Sequence, residues 1–564
     1  MFHLRTSQLL CRIISLKNAT DTAVDDANDI VTAAGSCYTT EADRPTVPIT
    51  DNPCRELLPH KYTSYQAIPM AEESYATSAA STVLKTEAII SETQVQHAFE
   101  FNIILKYSIE MIASFMLILG NQIVNVRFLG QHLDSEIMAA VCLGNMFAAI
   151  TGYSIGQGIL TAMDTLVAQA YTGAKSDPTV VGIILQRGLI IISLFAALIT
   201  AIWSCAEPIL LYLNQIPRLV SIAQTYLLLC IPHMYLYFFL VCTRKFLQGI
   251  GEMKIIMYLL CFAFPLNVTS NYFYFVYMDL GYKGAGYHLI TTAVAYTVLL
   301  LYLVYAFTDA RKYWPGLTMK PFHHWGQFLR LGLPGMLSNT EWAFEICAIA
   351  TGALGNTSLA AQSIVLCCIS FLLTVPGGLS TALAVRVGHH LGANRAQQAK
   401  SLFIRTAAVA CSSVIIISII LYAVRGHISY YFTKDAEVIQ AVSDLLTIGS
   451  IAHFTIGVGI VSSVTLNALG KQHLVATFNI ISYYMIGLPL GAYLMYLSTA
   501  TTSSFAPTGH FYAANSNIDG VIGIWKGIVL AGILKAFCEA SVLLFFIDWE
   551  KECMRAALHV KLSK

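Results

Sequence analysis

The chain has 564 residues, of which 56% are hydrophobic and only 12% charged, with a formal net charge of +1. That composition excludes a soluble enzyme and marks a polytopic membrane protein, and the near-neutral balance gives no argument for a nucleic-acid partner, so none is expected. The 14 Cys stand mostly singly in apolar stretches, without a C-x-x-C pair or a repeated Cys/His spacing, so neither a disulfide framework nor a metal site is expected.

Residues 1–95 are rich in Ser, Thr, Ala and acids, with scattered Pro and no sustained period, and read as a disordered cytosolic tail. Its basic, mildly amphipathic start, MFHLRTSQLLCRIISLKN, leaves a targeting peptide as the alternative, although no clean apolar run with a small-residue cleavage site follows. From Phe101 twelve apolar spans follow, near 101–126, 137–170, 181–205, 221–243, 254–278, 284–307, 328–352, 358–385, 402–424, 440–466, 473–497 and 518–547. They divide into an N-lobe over 96–307 and a C-lobe over 328–547, joined by the charged, Pro-broken linker 308–327 and closed by a cytosolic tail, 548–564.

Lys and Arg distribute unevenly over the loops and span ends, roughly 19 on the side of the linker and the C-terminal tail against 5 on the other. The positive-inside rule places the richer side, and with it both termini, in the cytosol. An even span count requires the same. The chain also repeats at a spacing of about 220 residues: MAAVCLGN at 138–145 against LAAQSIVL at 359–366, AQAYTGAK at 168–175 against VGHHLGANR at 387–395, FLQGIGEMK at 246–254 against LNALGKQHL at 466–474. Six spans per copy give two bundles of the same orientation, related by an axis along the membrane normal.

The seventh span holds the chemistry. Glu341 and Glu345, four apart and so on one helix face, stand beside Asn339 and Trp342 in an apolar segment weakened by Gly332, Pro334 and Gly335. Charge at membrane depth is costly and marks an ion or substrate path, and two close carboxylates hold a proton more tightly. The plain alternative is a polar helix contact with no traffic through it. Tyr483 and Tyr484 offer aromatic faces to an organic cation, and Lys526 in the last span is a partner for either Glu. Glu110 and Asp164 are N-lobe or gate candidates, although the first can reach the interface and the second can pair with Arg187. Gln169 and Gln248 are read as polar ties at cytosolic helix ends. Lys535 and Glu539, four apart, are expected to pair along their helix, and Pro265, Pro376 and Pro489 to kink their spans.

Several stretches resemble the multidrug and toxic compound extrusion (MATE) family in its eukaryotic, fungal-like form: AMDTLVAQAYTGAK at 162–175, RKFLQGIGE at 244–252, NTEWAFEI at 339–346, AAQSIVLCCISFLLTVPGGLSTALAVRVGHHLGA at 360–393 and GKQHLVATFNIISYYMIGLPLG at 470–491. The resemblance implies an all-α fold of twelve transmembrane helices in two six-helix lobes around a central cavity. It also implies antiport of amphiphilic, often cationic compounds against H⁺, with Na⁺ in some bacterial members, no other cofactor, and a monomer. The pattern departs in places. Glu345 matches the family's second seventh-span acid, but Glu341 matches the first only if the register shifts. Leu366 and Cys367, and Phe454, Thr455 and Ile456, stand where further acids are usual. In the first span, Ser108-Ile109-Glu110 stands where a Pro is common.

The expectation is therefore a proton-coupled antiporter, not an enzyme, in the plasma or vacuolar membrane, exporting a small organic substrate by alternating access. A flippase for lipid-linked sugars is the alternative within transport; it would want a strongly basic cavity. A receptor-like signalling protein is the alternative of another class, and the internal duplication argues against it.

Overall fold

A computed structural model describes residues 70–563 apart from 214, 317, 339–340, 353, 434 and 505–512. Among these residues the regular structure is helical throughout. The helices in chain order are α1 (Met70–His132), α2 (Ser135–Gly173), α3 (Thr179–Ser204), α4 (Pro217–Gly249), α5 (Met253–Tyr277) and α6 (Gly281–Phe307). After the linker come α7 (Trp325–Leu337) and α8 (Glu341–Gly352). Then follow α9 (Asn356–Gly392), α10 (Ala396–Tyr431), α11 (Ala436–Ala468), α12 (Gln472–Ser498), α13 (Ile518–Phe546) and α14 (Trp549–Ser563). Eleven of these stretches are long and apolar enough to cross a bilayer, the first being Phe99–His132 within α1. Backbone polar groups find no water in lipid, so these stretches close their hydrogen bonds internally as helices.

The seventh span, expected as one helix over 328–352, is instead a broken pair. Pro334 lies inside α7, and Ser338 ends it with its N–H donating to the Pro334 carbonyl at 2.9 Å. The Ser338 carbonyl then accepts from Asn479 Nδ2 of α12 at 3.1 Å, so a neighbour satisfies the helix end that a continuing turn would have used. The two halves pack apart. Phe328 and Leu331 of α7 join the core built from α1–α6. Ala343 and Cys347 of α8 pack with Tyr483, Ile524 and Ile528 of α12 and α13.

Two bundles result. The first core gathers residues such as Val167, Trp203, Leu227 and Leu247 from α2, α3 and α4. The second comprises separate apolar clusters among α8–α13, one of them joined by Ile104 of α1 and by Trp549, Cys553 and Ala556 of α14. Association inside lipid depends on close packing rather than on expelling water. It is tight where α7 meets α2, because a Cβ on Gly158 would lie 2.3 Å from the Met336 Cα.

Several helices outrun the apolar stretches that identify them. α4 continues to Gly249, α9 to Gly392, and α10 starts at Ala396. Their polar overhangs pack on one another instead of ending at the lipid. At the N-terminus, α1 begins at Met70, inside the stretch read as a disordered tail; residues 1–69 lie outside the described residues. The C-terminal tail is α14, whose Trp549, Cys553, Ala556 and Val560 are buried.

Candidate functional site

The helix overhangs meet in a seam at the end of the bundles that carries the linker. Along it, α2 donates to the other lobe's helix ends: Thr165 Oγ1 to the Asn467 carbonyl, Gln169 Nε2 to the Ala468 carbonyl at 3.0 Å, and Thr172 Oγ1 to the His389 carbonyl at 2.6 Å. Gln472 Nε2 donates to Thr165 Oγ1 at 2.8 Å. The ring of His389 donates from Nε2 to the Gly249 carbonyl at 2.7 Å. Its Nδ1 accepts from Arg386 Nη1 at 3.3 Å, which fixes the tautomer. Arg386 also grips Glu100 of α1 in a fork, Nη2 to Oε1 at 2.6 Å and Nε to Oε2 at 3.1 Å, largely shielded from solvent. Helix α14 straddles the seam: Trp549 packs on Phe403 and Glu552 pairs with Lys471 at 3.0 Å, while His559 Nδ1 lies 3.0 Å from Gln169 Oε1.

A cavity of about 620 Å³ lies in the half of the molecule away from the seam. Chain order fixes its place. Gln122 and Asn125 belong to the far end of α1, Cys142 and Asn145 to the start of α2, Asn271 to the last turns of α5, and His288 to the early turns of α6. Its polar wall is hydrogen-bonded. Asn125 Oδ1 accepts from Asn267 Nδ2 at 3.0 Å and from Asn271 Nδ2 at 2.9 Å. Asn271 Nδ2 also lies 3.2 Å from His288 Nε2, and His288 Nδ1 donates to Ser270 Oγ at 3.0 Å. Tyr226 donates to Asn145 Oδ1 at 2.8 Å. A five-residue π-helical turn, Ala149–Tyr153, interrupts α2 beside this wall; such turns widen a helix locally and gather at functional sites.

From across the lobes, Glu345 of α8 completes the lining and is its one carboxylate among the described residues. A carboxylate facing a chamber of amides and imidazole can hold an organic cation while charged and release it once protonated.

The residues singled out in the sequence fall into three places. Glu345 is at the cavity. Trp342, partly buried, keeps its indole N–H shielded without a hydrogen-bond partner among the described residues. Asn339 lies outside the described residues, as does the side chain of Glu341. Tyr483 and Tyr484 sit on the π-helical turn Ile480–Gly487 of α12; Tyr483 is only 3% exposed, packed near Phe344, and Tyr484 flanks the same cluster. Lys526 is exposed on α13, with no ion pair among the described residues. Gln169 is in the seam, and Gln248, buried, directs Nε2 to Met111 Sδ at 3.5 Å. Glu110 is buried on α1. Asp164 pairs with Lys245 at 2.5 Å, rather than with Arg187. Lys535 and Glu539 do pair, at 3.2 Å, and share Ser463 of α11.

Sequence reading missed the amide and imidazole wall. Asn267 and Asn271, four apart in an apolar span, were its available signal, together with His288 in the next span.

Residues 111–273 and 335–493 match the family model described as MatE. The chain is 30% identical to the human multidrug and toxin extrusion protein 1 over 438 residues, covering 77% of this chain and 72% of that protein. It is 30% identical over 465 residues to an uncharacterised transporter of Schizosaccharomyces pombe, covering 81% of this chain and 82% of that one. The crystal structure of the eukaryotic MATE transporter AtDTX14 superposes with a TM-score of 0.70 at 20% identity, over 82% of this chain and 99% of that one.

Proposed function

The chain belongs to the multidrug and toxic compound extrusion family, and we propose that it exports amphiphilic, cationic organic compounds in exchange for protons. It is an integral membrane protein of twelve-helix plan and a secondary transporter rather than an enzyme, and its family makes it an extrusion antiporter. The proton as coupling ion, the cationic substrate class, the plasma or vacuolar membrane and the cytosolic termini are this proposal's finer content.

The observation that carries it is Glu345, the one carboxylate lining the cavity among the described residues. In its charged form it holds the cation against the amide wall. A proton arriving from the acidic side neutralises it, the cation loses its counter-charge, and it leaves. The lobes then part at the seam and close around the cavity's mouth, and the proton departs toward the cytosol. The seam is shut in this structure, so the conformation corresponds to access from the side opposite the linker. A flippase for lipid-linked anions would need the reverse polarity at this position.

The test is accumulation of a fluorescent organic cation by proteoliposomes with an acid interior, wild type beside Glu345→Gln. Wild type accumulates dye and the variant does not. Indifference of wild type to both a pH and a Na⁺ gradient would overturn the antiport reading.

A further inference from the structure

A second hollow, of about 250 Å³, lies inside the N-lobe between α1, α4, α5 and α6. It shares Gln122, Asn125 and Leu289 with the main cavity, so the two adjoin across a common wall. Ile118, Leu240 and Leu260 give it an apolar side, and Asn121, His233 and Arg244 a polar one, with no carboxylate among its described lining residues.

Arg244 is the anomaly. The neighbouring Lys245 is neutralised by Asp164 at 2.5 Å. Arg244 has no ion pair and no protein hydrogen-bond acceptor among the described residues, and its Nε is shielded from solvent without a partner. Across the same hollow the Asn121 Oδ1 is likewise shielded and unpartnered. His233 is not available to either, since its Nδ1 is held by the Tyr153 hydroxyl at 2.9 Å. Arg244 is half-buried, and a guanidinium with its Nε shielded and unpaired is better satisfied when something anionic completes it. Its planar fork suits a carboxylate better than a point charge does.

We propose that this side chamber receives the acidic group of an amphiphilic substrate, with Arg244 as the residue that selects for it. The substrates then include zwitterions, whose cationic end serves Glu345 and whose carboxylate serves Arg244. This rests on the transport reading only for treating the main cavity as a substrate path.

Two dyes with one skeleton separate the ideas: tetramethylrhodamine free acid, a zwitterion, and its methyl ester, a cation. Binding of each to the purified full-length protein in neutral detergent is read by fluorescence anisotropy. Wild type binds both. Arg244→Met raises the Kd of the acid about tenfold or more relative to that of the ester, and Arg244→Lys recovers part of the difference. Ester binding by the variants reports that they remain folded. An unchanged acid-to-ester ratio in Arg244→Met overturns the proposal, as does failure of wild type to bind the acid. Displacement of the acid by micellar short-chain phosphatidylglycerol, with the ester retained, also overturns it and reassigns the chamber to lipid phosphate. If the ester binds and the acid does not, cation extrusion stands without this chamber. If the acid binds and the ester does not, the chamber stands and the cationic substrate class falls.

Discussion

His559 and Gln169, 390 residues apart in the chain, are joined by a hydrogen bond of 3.0 Å between the imidazole Nδ1 and the amide oxygen. The contact ties the last helix to α2. A further bond, from Gln327 Nε2 to the His559 carbonyl at 3.2 Å, ties it to α7. At its other end the same helix is anchored to the second lobe through Lys471 and Phe403. Helix α14 is therefore a strap across the seam, and parting the lobes must break one of its anchorages.

The strap is expected to respond to acid. Burial, with Arg555 and Lys471 nearby, pushes the His559 imidazole down to about 4; the nearby carboxylate, Glu552, is already held by those two cations. An undocked ring returns to its ordinary value near ~6.5 and binds protons that the docked ring refuses. Docking is thus full above the undocked value and weakens as the pH falls toward the docked one. Hydrogen exchange over 549–563, corrected for its intrinsic pH dependence, should rise across that window in wild type. His559→Asn, which keeps a donor and cannot titrate there, should remove the dependence.

Gly158→Ala should destabilise the protein by about 1–3 kcal/mol, because the added carbon meets backbone that cannot swing aside. The Met336 Cα and N would lie 2.3 and 2.8 Å away. Gly326→Ala on α7, whose Cβ meets nothing within 4 Å, is the control. Thermal melting of the two variants should separate clearly.

Removing one partner of the shielded Glu100–Arg386 fork leaves a guanidinium without its counter-charge, so Glu100→Gln should cost about 3 kcal/mol or more. A double-mutant cycle with Arg386→Gln, read by chemical denaturation in detergent, should show the losses to be strongly non-additive. Additive losses would mean that the pair does not hold the lobes.

The Lys535–Glu539 pair is buried with Ser463 between its members, away from the cavity lining. Glu539→Gln should lower stability by about 3–5 kcal/mol by stranding Lys535. The combined Lys535→Met, Glu539→Leu exchange should recover most of it, since both charges leave together. The response of transport to a pH gradient should survive in the double variant if Glu345 is the coupling carboxylate.

The spans were legible because hydropathy alone distinguishes twenty apolar residues from a loop. The duplication was legible because Gly-rich helix ends recur in the same order. The break in the seventh span was only half legible. Pro334, Gly332 and Gly335 announced weakness, but the helix runs past all three and stops at Ser338, where a side chain from α12, Asn479, takes its carbonyl. No local pattern announces such a partner. The same limit hid the match of Asp164 with Lys245, which depends on how α2 and α4 are set against each other. It also hid the amide wall, whose residues come from spans that are ordinary when read singly.

Beside the ion pairs of the seam, four of its acceptors are main-chain carbonyls, those of His389, Gly249, Asn467 and Ala468, all in the last turns of their helices. Helix ends carry such unclaimed carbonyls whatever the side chains are. Side-chain drift at Asn467 and Ala468 leaves those two acceptors in place, and for these main-chain bonds the mutational sensitivity falls on the donors: Thr165, Gln169, Thr172 and His389. When the lobes separate, each carbonyl exchanges a side chain for water at little enthalpic loss. These exchangeable bonds make the closure selective about partner while adding little to its depth, so the energy of opening falls on the Glu100–Arg386 fork and the α14 strap, in a device that must open and shut once in every transport cycle.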